Sequence, residues 1–265
     1  MSKAPSAPVA RQRAERGHRR LLIGTNITLA ACAMAWVAYI APNLTSPAIP
    51  QVAGRISRGE QYELDQLRQI VAENLPAAQR QCGAKTMREL LLLQLAIADE
   101  SIRSASPKQA DADTEAVASA SRALLLCAPS EGLGWLGSYW SAIRQEGFGP
   151  RTAALLGLSY KFAPHEAWLQ LIRAPLALRV YGALSPELKN SAIQDFTDIF
   201  GARLFPSAAA LYQAAAAGAR PELLDRTCSA PETDRELFRR YVTDKGLQLR
   251  HPCYPSDERP SYVRN

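Results

Sequence analysis

Four cysteines, Cys82, Cys127, Cys228 and Cys253, carry the clearest chemistry in this chain, and a fifth, Cys32, sits inside an apolar run. An even set outside that run suits two disulfides in an exported domain better than four free thiols. As thiolates they could hold zinc, but no CxxC pair is present, so the expectation is sulfur–sulfur bonding and no metal. His165-Glu166 opens like the HExxH of zinc proteases, yet the fifth position is Leu169, which removes the second imidazole. Gly132-Leu133-Gly134-Trp135-Leu136-Gly137 has GxGxxG spacing. A dinucleotide site needs a buried strand before that turn and an acidic residue about twenty positions beyond it. Here a helix and Pro129 come first, so these glycines read as loop and helix-start positions. No GxSxG occurs, and no serine has an assignable His and Asp partner. The expectation is a protein without a catalytic group or cofactor.

The remaining candidates are for binding. Trp135, Tyr139, Trp140, Tyr160 and Trp168 cluster in the middle of the chain, with Arg144, Arg151, Arg173 and Arg179 nearby. Inward-facing aromatics dominate helical cores. The others would line a concave groove, where Trp and Tyr suit sugar rings or a partner helix. Trp135, Tyr139, Trp140, Tyr160, Trp168, Arg144 and Arg173 form the expected groove set.

The elements that must position these residues begin with Leu21–Ala41, a run without any charge. A bilayer core needs about 20 predominantly apolar residues as a helix, so the run is expected to span. Lys3, Arg11, Arg13, Arg16, Arg19 and Arg20 precede it against one acid, Glu15. Positive flanks stay cytoplasmic, which puts residues 1–20 inside as a disordered basic tail and the bulk outside. Two other readings also export the bulk. Leu29-Ala30-Ala31-Cys32 looks like a lipobox that would lipidate Cys32, and Ala33-Met34-Ala35 suits cleavage of a signal peptide. Once the six basic residues of the tail are set aside, residues 42–265 are close to neutral. The formal net charge of +6 is therefore a topology signal and not a nucleic-acid face.

Pro42, Pro47 and Pro50 make 42–57 an expected extended spacer. From 58 to 246 apolar residues recur at three and four positions, as in Leu64, Leu67, Ile70, Val71 and Leu75, and no stretch argues for strands. Pro76 is expected to end or interrupt that first helix. Thr86-Met87-Arg88-Glu89 reads as a capping box for the next. A loop over 104–110, a helix from about Asp113 to Cys127, and further helices near 133–146, 150–162, 165–174, 186–201, 206–217, 221–227 and 232–245 follow. Residues 247–265 form an irregular tail tied down at Cys253. The fold class is all-α, an N-terminal transmembrane helix followed by stacked helical hairpins.

Leu124–Glu131 and Ser159–Glu166 each end a helix in Ala-Pro-x-Glu, with the two prolines 35 residues apart. That period, with Trp168 four residues after Pro164, resembles a tetratricopeptide repeat over about residues 113–172. A plain helical bundle is the alternative. Cys82 starts one such hairpin and Cys127 finishes it, which makes them neighbours; Cys228 and Cys253 flank the last helix and tail. The expected bridges are therefore Cys82–Cys127 and Cys228–Cys253. The Arg-rich start, single span and Ala-Pro-x-Glu/Trp region also resemble small single-span bacterial envelope proteins associated with polysaccharide synthesis. The resemblance implies a periplasmic binding or scaffold protein in the inner membrane, accessory to O-antigen or exopolysaccharide assembly. Its partners would be envelope membrane proteins, such as a polysaccharide polymerase or ligase, together with inner-membrane lipid. A carbohydrate-active enzyme is the rival reading, and would show two carboxylates about 5–10 Å apart in one cleft.

Overall fold

In the computed structural model of the chain, residues 22–37, 48–56, 62–104 and 106–254 are described. Every regular element among them is helical; the backbone pairing of His251 with Tyr254 is an isolated bridge. The chain divides into two units, Met1–Ile49 and Pro50–Asn265.

In the first unit, residues 22–37 form helix α1, and every one of them is exposed, including Ile27, Leu29, Met34 and Trp36. Thr28 Oγ1 donates to the Gly24 carbonyl at 3.0 Å, which satisfies a hydroxyl inside an apolar helix. Among the described residues no helix is long and apolar enough to cross a membrane. Residues 1–20, and residues 21 and 38–41 of the expected span, lie outside the described residues. The expected extended spacer is corrected where it is described: Ala48–Ile56 is a helix, α2. Pro50 falls in its first turn, where a missing N–H costs no intrahelical bond.

In the second unit α3 (Leu64–Gln81) runs straight through Pro76, contrary to the expected break. The carbonyl that Pro76 cannot serve belongs to exposed Ala72, where water can reach it. Cys82 ends α3 in the left-handed region (φ 49°), and the N–H groups of Cys82 and Gly83 return to Gln79 and Ala78. Helix α4 (Ala84–Ser104) thus starts two residues before the expected cap at Thr86. Glu89 is buried rather than folded back as a box residue, and its Oε2 has no hydrogen-bond partner. Helix α5 (Pro107–Cys127) starts six residues before the expected Asp113. Ser106 Oγ accepts from the Gln109 N–H at 3.4 Å and Pro107 occupies the first helical position, so most of the expected loop is helix.

Helices α6 (Gly132–Glu146), α7 (Pro150–Phe162) and α8 (Ala167–Arg179) follow, with Pro175 inside α8. After a 3-10 turn at Tyr181–Ala183 come α9 (Pro186–Gly201), α10 (Phe205–Ala214), α11 (Arg220–Thr227) and α12 (Glu232–Asp244). Helix α4 packs on α3 and α5, α5 on α6, α6 on α7, and α8 on α9; α6 also touches α4 and α8. Leu90, Leu91, Leu124, Leu133 and Leu136 are fully buried among them. The alternation stops at α10, which packs on α8, α9 and α12. There Phe196, Phe200, Phe205, Tyr212, Phe238 and Tyr254 join, edge-on except for the tilted Phe196–Phe200 pair, with ring centroids 5.4–6.4 Å apart.

Both disulfides pair as the hairpin layout requires. Cys82–Cys127 has a Cα separation of 5.3 Å and Cys228–Cys253 one of 5.6 Å. Cys32 is free and exposed.

Candidate functional site

A groove of about 990 Å³ lies between the start of α3 and one face each of α4, α6 and α8. Helix α4 supplies Leu92, Leu95, Ala96, Asp99 and Arg103, spaced at three and four residues so that they share one stripe. Helix α8 supplies Leu171, Ile172, Pro175, Leu176 and Arg179 by the same rule, and α6 supplies Trp140 and Arg144 one turn apart. The walls are thus apolar in their middle and charged along their length.

Most of those charges are already paired. Arg103 binds Glu100 at 2.8 Å and Asp99 at 2.5 Å. Arg68 bridges to Asp113 at 3.0 Å and donates to Ser101 Oγ at 3.1 Å. Arg144 is different. Its guanidinium lies 3.8 Å over the ring of Trp140, a residue only 5 % exposed. Burial on that ring holds the guanidinium below its ordinary value; Asp99 opposes the shift and Arg179 adds to it. The site therefore offers an aromatic-backed cation next to a second arginine, with an apolar floor. That set suits a carboxylate-bearing or hydroxyl-rich ligand, or a partner helix with an acidic edge.

Of the expected groove set, only Trp140 and Arg144 line this groove. Tyr139 and Tyr160 are core residues, 0 % and 8 % exposed. Burial pushes the Tyr139 hydroxyl up to about 12, and that of Tyr160 well above its usual value, with the Asp195 charge adding. Trp135 staples a turn: its Nε1–H donates to the Pro129 carbonyl at 2.8 Å and its ring stacks on Phe162. Trp168 stands under Arg88, whose guanidinium is 5.9 Å from the ring and 3.6 Å from Glu131. Arg173 is corrected outright, because it is fully buried. Its Nε and Nη2 donate to Asp195 at 2.9 and 2.8 Å, and its Nη1 donates to the carbonyls of Ser159 and Ala163 at 3.1 and 2.9 Å. It ties α7 and α9 to α8 and caps the C-terminal end of α7. Arg151 pairs with Glu146 at 2.8 Å on the surface.

The GxGxxG glycines belong to α6, with Gly132 at its start as expected and none in a loop, and their use is close packing. A Cβ at Gly132 would lie 2.4 Å from Ala163 Cβ, one at Gly134 2.8 Å from Leu125 Cδ2, and one at Gly137 2.3 Å from Ser121 Oγ. His165 is exposed and 3.7 Å from Asp198, with buried Leu169 where a zinc protease has its second histidine. Arg179, one of the arginines named beside the aromatics, does line the groove; Arg68, Asp99, Arg103 and the α8 residues Leu171, Ile172, Pro175 and Leu176 carry no such signal in the sequence beyond their i, i+3, i+4 spacing on one face.

Among the described residues the cluster with metal-ligand character is Cys228, His251 and Cys253. Its two sulfurs are bonded to each other, so neither is a thiolate that could ligate. The chain matches no known family model, and no curated protein or solved structure matches it.

Proposed function

We propose that this chain is a membrane-anchored binding or scaffold protein of the cell envelope, held in the inner membrane by residues 21–41 with its helical bulk in the periplasm. Its role would be accessory to O-antigen or exopolysaccharide assembly, through contact with an envelope membrane protein such as a polymerase or ligase. The observation that carries the reading is the groove, in which Arg144 on Trp140 has no ion pair within 4 Å among the described residues while the carboxylates Asp99 and Glu100 are both held by Arg103. A surface with an available cation, and with Asp99 and Glu100 neutralised by Arg103, favours holding a partner over acid–base chemistry. The successive hairpins α4–α5, α6–α7 and α8–α9 support a tetratricopeptide-like array, whose first helices face one groove. An exposed, uncharged α1 and two disulfides support an anchored, exported domain.

A photo-crosslinking residue placed at Ile172 in the groove tests the reading in intact cells, with Leu126 on the outside of α5, 86 % exposed, as the control position. The expected result is an envelope membrane protein captured from position 172 and not from 126, and lost when Arg144 is changed to Ala. Equal capture from both positions, or none from the groove, overturns it.

A further inference from the structure

The Cys228–Cys253 disulfide does not stand alone. Asp225 lies in the last turn of α11, three residues before Cys228, so both point the same way off the helix. The bridging turn of the tail sets His251 and Cys253 against them. His251 Nε2 is 2.9 Å from Asp225 Oδ1, and Nδ1 is 3.0 Å from Cys253 Sγ and 3.6 Å from Cys228 Sγ. A carboxylate only accepts, so Nε2 carries a proton, and Nδ1, which accepts from the Cys253 N–H at 3.4 Å, is the unprotonated ring atom that addresses the sulfurs. The tail is held in this position by three contacts. Arg235 Nη1 donates to the Cys253 carbonyl at 2.8 Å, Tyr254 meets Thr227 Oγ1 at 2.5 Å, and the Tyr254 ring packs on Phe238. Among the described residues the other bridge has no imidazole beside it. The described histidines are His165 and His251, and His165 is engaged with Asp198.

We propose that Cys228–Cys253 is a thiol–disulfide exchange site for a dithiol, in which His251, oriented by Asp225, stabilises Cys253 as the leaving thiolate. The incoming thiolate attacks Cys228 Sγ and forms a mixed disulfide; the electron pair of the broken sulfur–sulfur bond stays on Cys253 Sγ. The proton that the incoming thiol gives up on ionising is taken by His251 at Nδ1, and His251 donates this Nδ1–H to the Cys253 thiolate while Asp225 accepts from Nε2–H. The second thiolate of the dithiol then attacks the mixed disulfide, and Cys228 leaves. The dithiol is oxidised to its disulfide, and the protein disulfide is reduced by the same two electrons. A leaving thiol paired with an imidazolium has a lowered pKa, and exchange is faster the lower that value. The inference rests on neither the groove nor the membrane reading.

The test is reduction of the full-length oxidised chain by dithiothreitol at neutral pH, with a chelator present because two thiols and an imidazole would take up a soft cation. Samples are quenched by alkylation, and each bridge is followed by peptide mass spectrometry. Cys82 is exposed whereas Cys228 and Cys253 are half-buried, so accessibility alone makes Cys82–Cys127 the faster bridge. The proposal requires the reverse order, with Cys228–Cys253 faster by about tenfold. His251→Gln should slow Cys228–Cys253 by about tenfold and leave Cys82–Cys127 unchanged; Asp225→Asn should slow it by about threefold. A variant that merely loosened the tail would speed reduction, so the sign separates positioning from stability. Asp225 is exposed, so its variant carries the test if His251→Gln fails to fold. Faster or unchanged reduction in the variants, or slower reduction of Cys228–Cys253 than of Cys82–Cys127 in the unaltered protein, overturns it.

Discussion

Replacing Arg173 by Met should be the most damaging single substitution in the α7–α9 region. Arg173 and Asp195 are 0 % and 1 % exposed and share a two-point contact. The substitution leaves a carboxylate in the core with no cation; burial already pushes the Asp195 carboxyl up, and Arg173 is the main group opposing that shift. It also removes a donor from the Ala163 carbonyl at the end of α7, whereas the Ser159 carbonyl keeps the Ala163 N–H at 3.1 Å. Breaking a buried pair by removing one partner costs about 3–5 kcal/mol. Against a total stability of about 5–15 kcal/mol, that is a large share. Asp195→Leu alone should cost a similar amount, since it strands the guanidinium. The double variant Arg173→Met with Asp195→Leu removes both charges and should recover most of the loss, leaving about 1–3 kcal/mol for the deserted Ala163 carbonyl. Urea titration of the oxidised chain, followed by tryptophan fluorescence, measures all three. A loss below about 1 kcal/mol for Arg173→Met, or a double variant as unstable as the sum of the singles, would refute the account.

Gly132→Ala should destabilise by about 1–3 kcal/mol, because the new Cβ meets the Ala163 Cβ, which no rotamer can move. Adding Ala163→Gly should restore much of the loss, and thermal melts of the pair and the singles read this out. Removing Cys82–Cys127 by double Cys→Ser substitution should cost about 4 kcal/mol and removing Cys228–Cys253 about 3.5 kcal/mol, from closed loops with sequence separations of 45 and 25. Equal stability with and without either bridge, by denaturant titration, would contradict the loop-closure argument. Tyr139 is buried with an unpartnered hydroxyl and is pushed up to about 12 from its ordinary 10. The folded state thus holds this proton more tightly than the unfolded one, so its contribution falls as pH rises from about 10 to about 12. Tyr139→Phe should stabilise by up to about 1 kcal/mol at neutral pH and flatten the alkaline decline, measured as melting temperature against pH.

The helical character of the described residues, the span of most helices and the Cys82–Cys127 pairing follow from local signals in the chain. Apolar spacing and proline or serine at helix starts act over one or two turns, and a hairpin brings its own start and finish together. Pro76 lies inside α3 rather than ending it because a proline deletes one bond, which packing on α4 outweighs. Only tertiary structure decided which face each helix presents. Arg173 and Arg179 sit on the same helix six residues apart, about 120° around its axis at 3.6 residues per turn. One is therefore sealed against α7 and α9, and the other opens onto the groove. Trp140 and Tyr139 divide in the same way between groove wall and core. The GxGxxG spacing became helix contact because Ala163 and Ser121, distant in sequence, arrive at those glycines. Asp225, Cys228, His251 and Cys253 became one cluster only when the tail folded back on α11, a contact that no local periodicity encodes.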